Sequence, residues 1–266
     1  MSPEERERYS RHLALEEIGP AGQERLLAAR VLMVGVGALG SPAAMYLAAA
    51  GVGTIGLADH DRVRLSNLQR QVVHRTATVG ALKVEAAAET LRALNPGVQV
   101  ETLAAAVDEG NAMELLARFD LVVDGTDSFS ARYLLSDASY LLGKPLVHGS
   151  IFRFEGQVTV FLPGQGCYRC LYPQPPPPDM LGDSDQVGVF AALPGVIGTI
   201  QAAETLKLIT AEGEALVNRV LLHDAMAMTF RELRYRRNPS CPLCGDHPTI
   251  RRLVDYVAFT GATVAS

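Results

Sequence analysis

A chain of 266 residues, 48% hydrophobic and 20% charged, has enough apolar material for a sizeable core, as one large α/β domain or one with a small appendage. Its formal charge of −5 and pI of about 5.7 argue against a nonspecific binder of nucleic acid or anionic membrane, while a basic partner stays possible. The charged opening MSPEERERYSRH lacks the apolar centre of a secretory signal, and the uncharged run Val31–Ala58 is broken by six glycines and Pro42. That run reads as two short strands around a helix rather than a membrane span, and a soluble cytoplasmic protein is expected.

In chain order, residues 3–30 read as an amphipathic helical lead-in, with Gly19-Pro20 and Gly22 marking a turn between two helical pieces. Arg6, Arg8 and Arg11, taken alone, read as solvated surface charges. Val31–Val34 has the apolar run of a buried parallel strand. Gly35, Gly37 and Gly40 follow as G-x-G-x-x-G, and a helix over 43–50 stops at Gly51. Such a turn lets the main chain approach a phosphate and aims a helix N-terminus at it. Asp59, 19 residues beyond Gly40, stands where an acid takes ribose hydroxyls. The stretch is a nucleotide site, and alone it suggests NAD.

The connection 62–73, RVRLSNLQRQVV, leaves the carboxyl end of the second strand, where open α/β sheets bind ligands. It gathers Asn67, Gln69, Arg70 and Gln71 as donors suited to a phosphate. Gly80-Ala81-Leu82-Lys83 opens a helix to Leu94. Lys83 in its first turn opposes the helix dipole, which hints that the lysine faces an anion. A strand over 98–106 and a helix over 108–117 come next. The strand 119–123 then ends in Asp124-Gly-Thr-Asp127-Ser128, a carboxylate pair suited to Mg²⁺ or to a reacting group.

A helix over 131–142 and strands over 145–148 and 156–162 follow. Strand–helix alternation up to residue 150 predicts a mainly parallel sheet that turns antiparallel afterwards. The proline-rich stretch 173–187 reads as a surface crossover loop, 189–208 as an apolar helix interrupted by Pro194-Gly195, and 217–224 and 229–236 as terminal strands. The organisation is a lead-in (1–30), a nucleotide-binding part (31–165), a crossover loop with cysteine site and antiparallel strands of the same domain (166–248), and a C-terminal tail (249–266).

All four cysteines fall in two C-x-x-C pairs, Cys167/Cys170 and Cys241/Cys244, with 70 residues between them. Each pair can clasp one edge of a tetrahedral Zn²⁺, and two pairs close a structural site. Disulfides are the rival reading, disfavoured by the expected cytoplasmic location and the short loops they would close. With all four thiolates on zinc, no cysteine is left as a nucleophile.

Arg8-Tyr-Ser-Arg11, Gly35-Val-Gly-Ala-Leu-Gly40, Asp59-His-Asp61, Ser66-Asn-Leu-Gln-Arg-Gln71, Lys83, Asp124-Gly-Thr-Asp127 and both cysteine pairs together resemble the MoeB, ThiF and HesA adenylyltransferases, relatives of the ubiquitin-activating enzymes. The likeness runs from Arg8 to about Gly245. It implies a Rossmann-like parallel sheet continuing into antiparallel strands, in a homodimer. It also implies Mg-ATP-dependent adenylation of the C-terminal glycine of a ubiquitin-like sulfur-carrier protein ending in Gly-Gly, with release of pyrophosphate. The acyl-adenylate would then become a thiocarboxylate feeding molybdopterin, thiamine or tRNA thiolation. By the same resemblance, Gly35, Gly37, Ala38 and Gly40 approach ATP and Asp59 holds the ribose. Asn67, Arg70 and Lys83 clamp the phosphates, Asp127 sits at the α-phosphate and Mg²⁺, and Arg11 reaches in from the partner subunit. Asp61, Ser66, Leu68, Gln69 and Ser128 complete the nucleotide-binding set.

Three departures stand out. Ser184 lies where many relatives carry a loop cysteine, which puts a thioester or persulfide on that loop in doubt. No rhodanese-type domain follows the cysteine region, so a sulfur donor acting in trans is expected. Ala38 replaces the glycine common in the turn, a small change. Three other readings remain open at this stage: an NAD-dependent oxidoreductase, an ATP-dependent activator of another carboxylate such as one on a tRNA base, and a non-catalytic scaffold.

Overall fold

The computed structural model describes residues 1–176 and 188–261. Three short helices, α1 (Pro3–Arg8), α2 (Ser10–Leu13) and α3 (Gly19–Ala28), precede the sheet. α3 starts at Gly19 with Pro20 in its first turn, where a missing N–H costs nothing. The break therefore falls before Gly19, and Gly22 is buried inside the helix rather than in a turn. The strands are β1 (Arg30–Val34), β2 (Thr54–Ala58), β3 (Gln99–Leu103), β4 (Leu121–Asp124), β5 (Leu146–Phe152), β6 (Glu155–Phe161), β7 (Arg219–Asp224) and β8 (Thr229–Arg234). Between them run α4 (Gly40–Ala50), α5 (Lys83–Leu94), α6 (Ala112–Ala117), α7 (Phe129–Leu141), α8 (Tyr168–Leu171) and α9 (Leu193–Thr210), and α10 (Tyr256–Thr260) closes the described chain.

The eight strands form one sheet in the order β3-β2-β1-β4-β5-β6-β7-β8. β3 to β5 are parallel and β5 to β8 antiparallel, the architecture read from the sequence. β1, β2 and β4 are buried on both faces, which explains their unbroken apolar runs. On one face Leu47 of α4, Leu91 of α5 and Ile197 of α9 pack against Val31, Met33 and Ile55. On the other, Leu116 of α6 and Tyr133 and Leu135 of α7 pack against Leu32 and Val122. Strand order reverses between β1 and β4, which opens a crevice at their carboxyl ends.

Some boundaries differ from expectation. Pro194 does not interrupt a helix; it lies in the first turn of α9, the position proline tolerates. β5 continues to Phe152 because β6 pairs with it along its whole length, and β3, at the sheet edge, is confined to 99–103. The expected crossover loop is described only up to residue 176, so Ser184 lies outside the described residues. Within the stretch read as a tail, α10 is capped by Asp255 and buries Tyr256 and Thr260. No described helix is long and apolar enough to cross a membrane.

Candidate active site at the carboxyl ends of the parallel strands

Two loops face each other across the crevice: the glycine turn after β1 and residues 125–128 after β4. Gly35 has φ +86°, and a Cβ there would stand 2.7 Å from the Gly125 carbonyl oxygen, while one on Gly125 would stand 2.6 Å from that of Gly35. Each glycine thus exists for the other loop's main chain. Gly37 is different. A Cβ there would meet only Gln71 at 3.6 Å, an ordinary contact, so its bareness leaves main chain open to a ligand.

The turn is held from beneath. The Asp59 carboxylate accepts from the N–H groups of Val36 and Asp61, both at 2.8 Å. Buried His74 places Nε2 3.0 Å from the Val36 carbonyl, and burial pushes its imidazolium below the ordinary histidine range. Neutral His74 can therefore donate to Val36. Asp59 keeps lone pairs on both oxygens for a further donor, as the ribose role needs.

Lys83 opens α5 as expected, and the anion it meets is Asp61, at 2.7 Å. Burial opposes the Asp61 charge, but the Lys83 hydrogen bond and charge outweigh it and hold the carboxyl below the usual range. Asn67 is buried and its Oδ1 accepts from the Arg64 N–H at 2.9 Å, which folds the 3₁₀ turn Leu65–Asn67; only its Nδ2 is left for a phosphate. Arg70 is half-buried and donates to the Ser66 carbonyl at 3.2 Å, leaving most of its guanidinium fork available. Gln69 donates to the Val189 carbonyl at 3.3 Å, tying this connection to the chain just before α9. Ser66 is exposed and Leu68 half-buried.

The expected Asp124–Asp127 metal pair is corrected by burial. Asp124 is 0% exposed and accepts from His148 Nδ1 at 2.7 Å and from the N–H and Oγ1 of Thr126 at 2.9 and 2.7 Å. Burial opposes its charge, yet His148, Arg132 and Thr126 hold the carboxyl low. Asp127 alone of the two is exposed, and Ser128 caps α7 by accepting from the Ala131 N–H at 3.2 Å. Ala38 lies half-buried beside Gly37.

Arg11 is not at this site within its own chain. Tyr9 receives a hydrogen bond from Asn95 at 2.9 Å and packs on Gly51; these are the C-caps of α5 and α4. Arg11, two residues on, is therefore at the opposite end of the sheet, a distance comparable to α4, whose 11 residues span about 16 Å.

Far from the crevice, all four cysteines converge. Their Sγ atoms all lie within 4.8 Å of one another, with pairs at 3.2, 3.6 and 3.9 Å, and none is in a disulfide. A tetrahedral site with metal–sulfur bonds of 2.3 Å has edges of about 3.8 Å, so the donor set could hold zinc.

The chain matches the ThiF family over residues 9–243. It belongs to that family. It is 51% identical over 264 residues to a sulfur carrier protein adenylyltransferase of Thermus thermophilus, covering 97% of both chains. It is 52% identical to a SAMP-activating enzyme E1 of Haloferax volcanii, covering 90% of this chain and 89% of that one. The adenylyltransferase and sulfurtransferase MOCS3 of Anopheles gambiae is 48% identical, and the match spans 58% of that longer protein. Among solved structures, E. coli MccB superposes with a TM-score of 0.82 at 22% identity, covering 92% of this chain and 75% of that one, which shows the fold.

His74, His148 and Gln201 escaped the sequence reading. Their signal was faint: a single polar residue inside an otherwise apolar stretch, as in Leu146-Val-His148.

Proposed function

We propose that this chain is an adenylyltransferase that uses Mg-ATP to activate the C-terminal carboxylate of a ubiquitin-like sulfur-carrier protein ending in Gly-Gly. What supports this is a crevice at the carboxyl ends of the parallel strands, flanked by the segments that carry Gly37, Arg70, Lys83 and Asp127, in a chain 51% identical to a sulfur carrier protein adenylyltransferase over 97% of both lengths. The relatives' names favour nucleotidyl transfer over hydride transfer, and the cationic groups suit a triphosphate.

A carboxylate oxygen of the carrier attacks the α-phosphorus of ATP, an O–P bond forms, and the bond to the β-phosphate oxygen breaks to release pyrophosphate. Both reactants are anionic, so the chain must hold them in line against their repulsion. Arg70 and the Asn67 amide clamp the phosphates. Lys83 serves from beside Asp61, whose carboxylate at 2.7 Å aims its ammonium group. Asp59 orients the ribose, and Asp127 would hold Mg²⁺, which would neutralise charge on the phosphate oxygens. The acyl-adenylate is later converted to a thiocarboxylate with a sulfur donor in trans.

Arg11 completes the site from a second copy in a homodimer. Its place at the far end of its own sheet supports action in trans over action in cis. The four cysteines hold a structural Zn²⁺ that joins the start of the crossover to the segment after β8. The deciding experiment is ATP–pyrophosphate exchange with the purified protein: exchange appears only with a carrier ending in Gly-Gly. Exchange without any carrier, or none with every such carrier from the same genome, would overturn the reading.

A further inference from the structure

We infer that Asp124 and His148 are positioning residues that brace the loop carrying Asp127, and so, on the adenylyl-transfer reading above, set where that carboxylate meets its ligands. A carboxylate with 0% exposure at the end of β4 is costly unless every lone pair is used. Asp124 uses them inward and upward at once. One oxygen takes the His148 Nδ1 proton from β5; the other takes both the main-chain N–H and the hydroxyl of Thr126. Its own carbonyl receives Gln201 Nε2 from α9 at 2.7 Å.

Thr126 directly precedes Asp127. Gly125, before it, donates to the Val34 carbonyl at 2.8 Å. Residues 125–126 are therefore pulled into the fold by β1 and by Asp124, which turns Asp127 outward. Loosening Thr126 frees the main chain one residue from the carboxylate.

His148 cannot meet a substrate. It is 1% exposed, with Tyr168 and Phe161 ring centroids 5.2 and 6.0 Å away. With its Nδ1 turned to Asp124, its Nε2 has no partner among the described residues. Folding alone does not call for this arrangement. A matched apolar pair fills such a site without stranding a ring nitrogen. What the polar pair adds is a direction: a charge-assisted bond that fixes the Asp124 carboxylate beneath Thr126.

Three variants test the brace. His148→Asn keeps a donor near the Nδ1 position, His148→Leu removes it, and Thr126→Val removes only the hydroxyl bond on the loop side. Amide hydrogen exchange of Thr126 in the protein without nucleotide reads the brace whatever the protein activates. His148→Leu should speed that exchange at least tenfold relative to the β1 amides, with Thr126→Val intermediate and His148→Asn near wild type. In pyrophosphate exchange, His148→Leu should lose roughly 10- to 100-fold in rate and need several-fold more Mg²⁺ for half-maximal rate; His148→Asn should recover most of both. His148→Asn matching His148→Leu would overturn the brace. So would an unchanged main-chain amide at position 126 and an unchanged Mg²⁺ requirement in Thr126→Val, a result that stands even if the leucine variant fails to fold. Wild-type protein without exchange activity would sink the adenylation reading, while the Thr126 amide still decides the brace.

Discussion

The crevice at the carboxyl ends of the parallel strands and the cysteine cluster packed against the C-terminal end of α7 hold their order by opposite means. Around the crevice, main chain locks main chain: Gly35 and Gly125 each exclude a side chain on the other, and Asp59, His74 and Asp124 grip loops by their peptide groups. Around the cysteines, side chains do the holding. Four sulfurs converge, and beside them Arg169, between Cys167 and Cys170, forms a bidentate pair with buried Asp137, which also accepts from Tyr256 of α10. Burial works against the Arg169 charge, but Asp137 outweighs it and keeps the guanidinium protonated. A region built from peptide groups stays ordered when one exposed side chain is lost. A region built from ligands is only as stable as its centre.

The sharpest way to break that contrast is to remove the zinc proposed for the four cysteines. Chelation, or Cys241→Ser, should lower the melting temperature by about 10 °C or more and first expose the segment around residues 237–246 to protease. Metal analysis should find one zinc per chain beforehand. Unchanged melting on complete metal loss would end the claim that the cluster is structural.

At the crevice the expected pattern is the reverse. Asp127→Ala should cut exchange about 100- to 1000-fold while melting shifts by no more than a degree or two, because the side chain is exposed. Near-normal exchange would remove Asp127 from the site.

Arg11→Ala should also be nearly inactive, but curable. Mixed in equal amounts with Asp127→Ala under subunit exchange, half the dimers are hybrids with one intact site, so about a quarter of wild-type activity should return. No recovery despite proven exchange of subunits would place Arg11 in cis or outside the site.

The smallest effect belongs to the Lys83–Asp61 pair. The folded carboxyl is held below its ordinary range, so its stabilising contribution is present above about pH 4 and fades as pH falls through the lower folded value. Asp61 is half-exposed, which keeps the contribution modest. The melting difference between wild type and Asp61→Asn should shrink below pH 4. A difference that instead grows there would mean the sign is wrong.

Much of this was legible in the chain. Apolar runs announced the buried strands, the glycine spacing announced the turn, and Lys83 at a helix start correctly betrayed a neighbouring anion. What pattern could not convey was where a polar group points. Asp124 and Asp127 look alike as acids after a strand, yet one faces the core and the other is exposed, because the strand's alternation continues through Asp124 and stops at Gly125. Arg11 reads as surface charge because it is exposed on a helix that buries none of its residues. Only the docking of Tyr9 on two helix ends shows which end of the molecule it serves. Pro194 looked like an interruption because a proline in an apolar run does not reveal whether the helix has already begun.

The reciprocal glycines carry a further consequence. Because neither the turn after β1 nor the loop after β4 can accept a side chain where they touch, the gap between them has no adjustable setting. A lineage adapting this crevice to a different carboxylate cannot widen it one substitution at a time at those positions. Novelty has to be written on the surfaces around the crevice, in the β5–β6 and β7–β8 turns and the chain leading into α9, while the aperture itself is passed on unchanged.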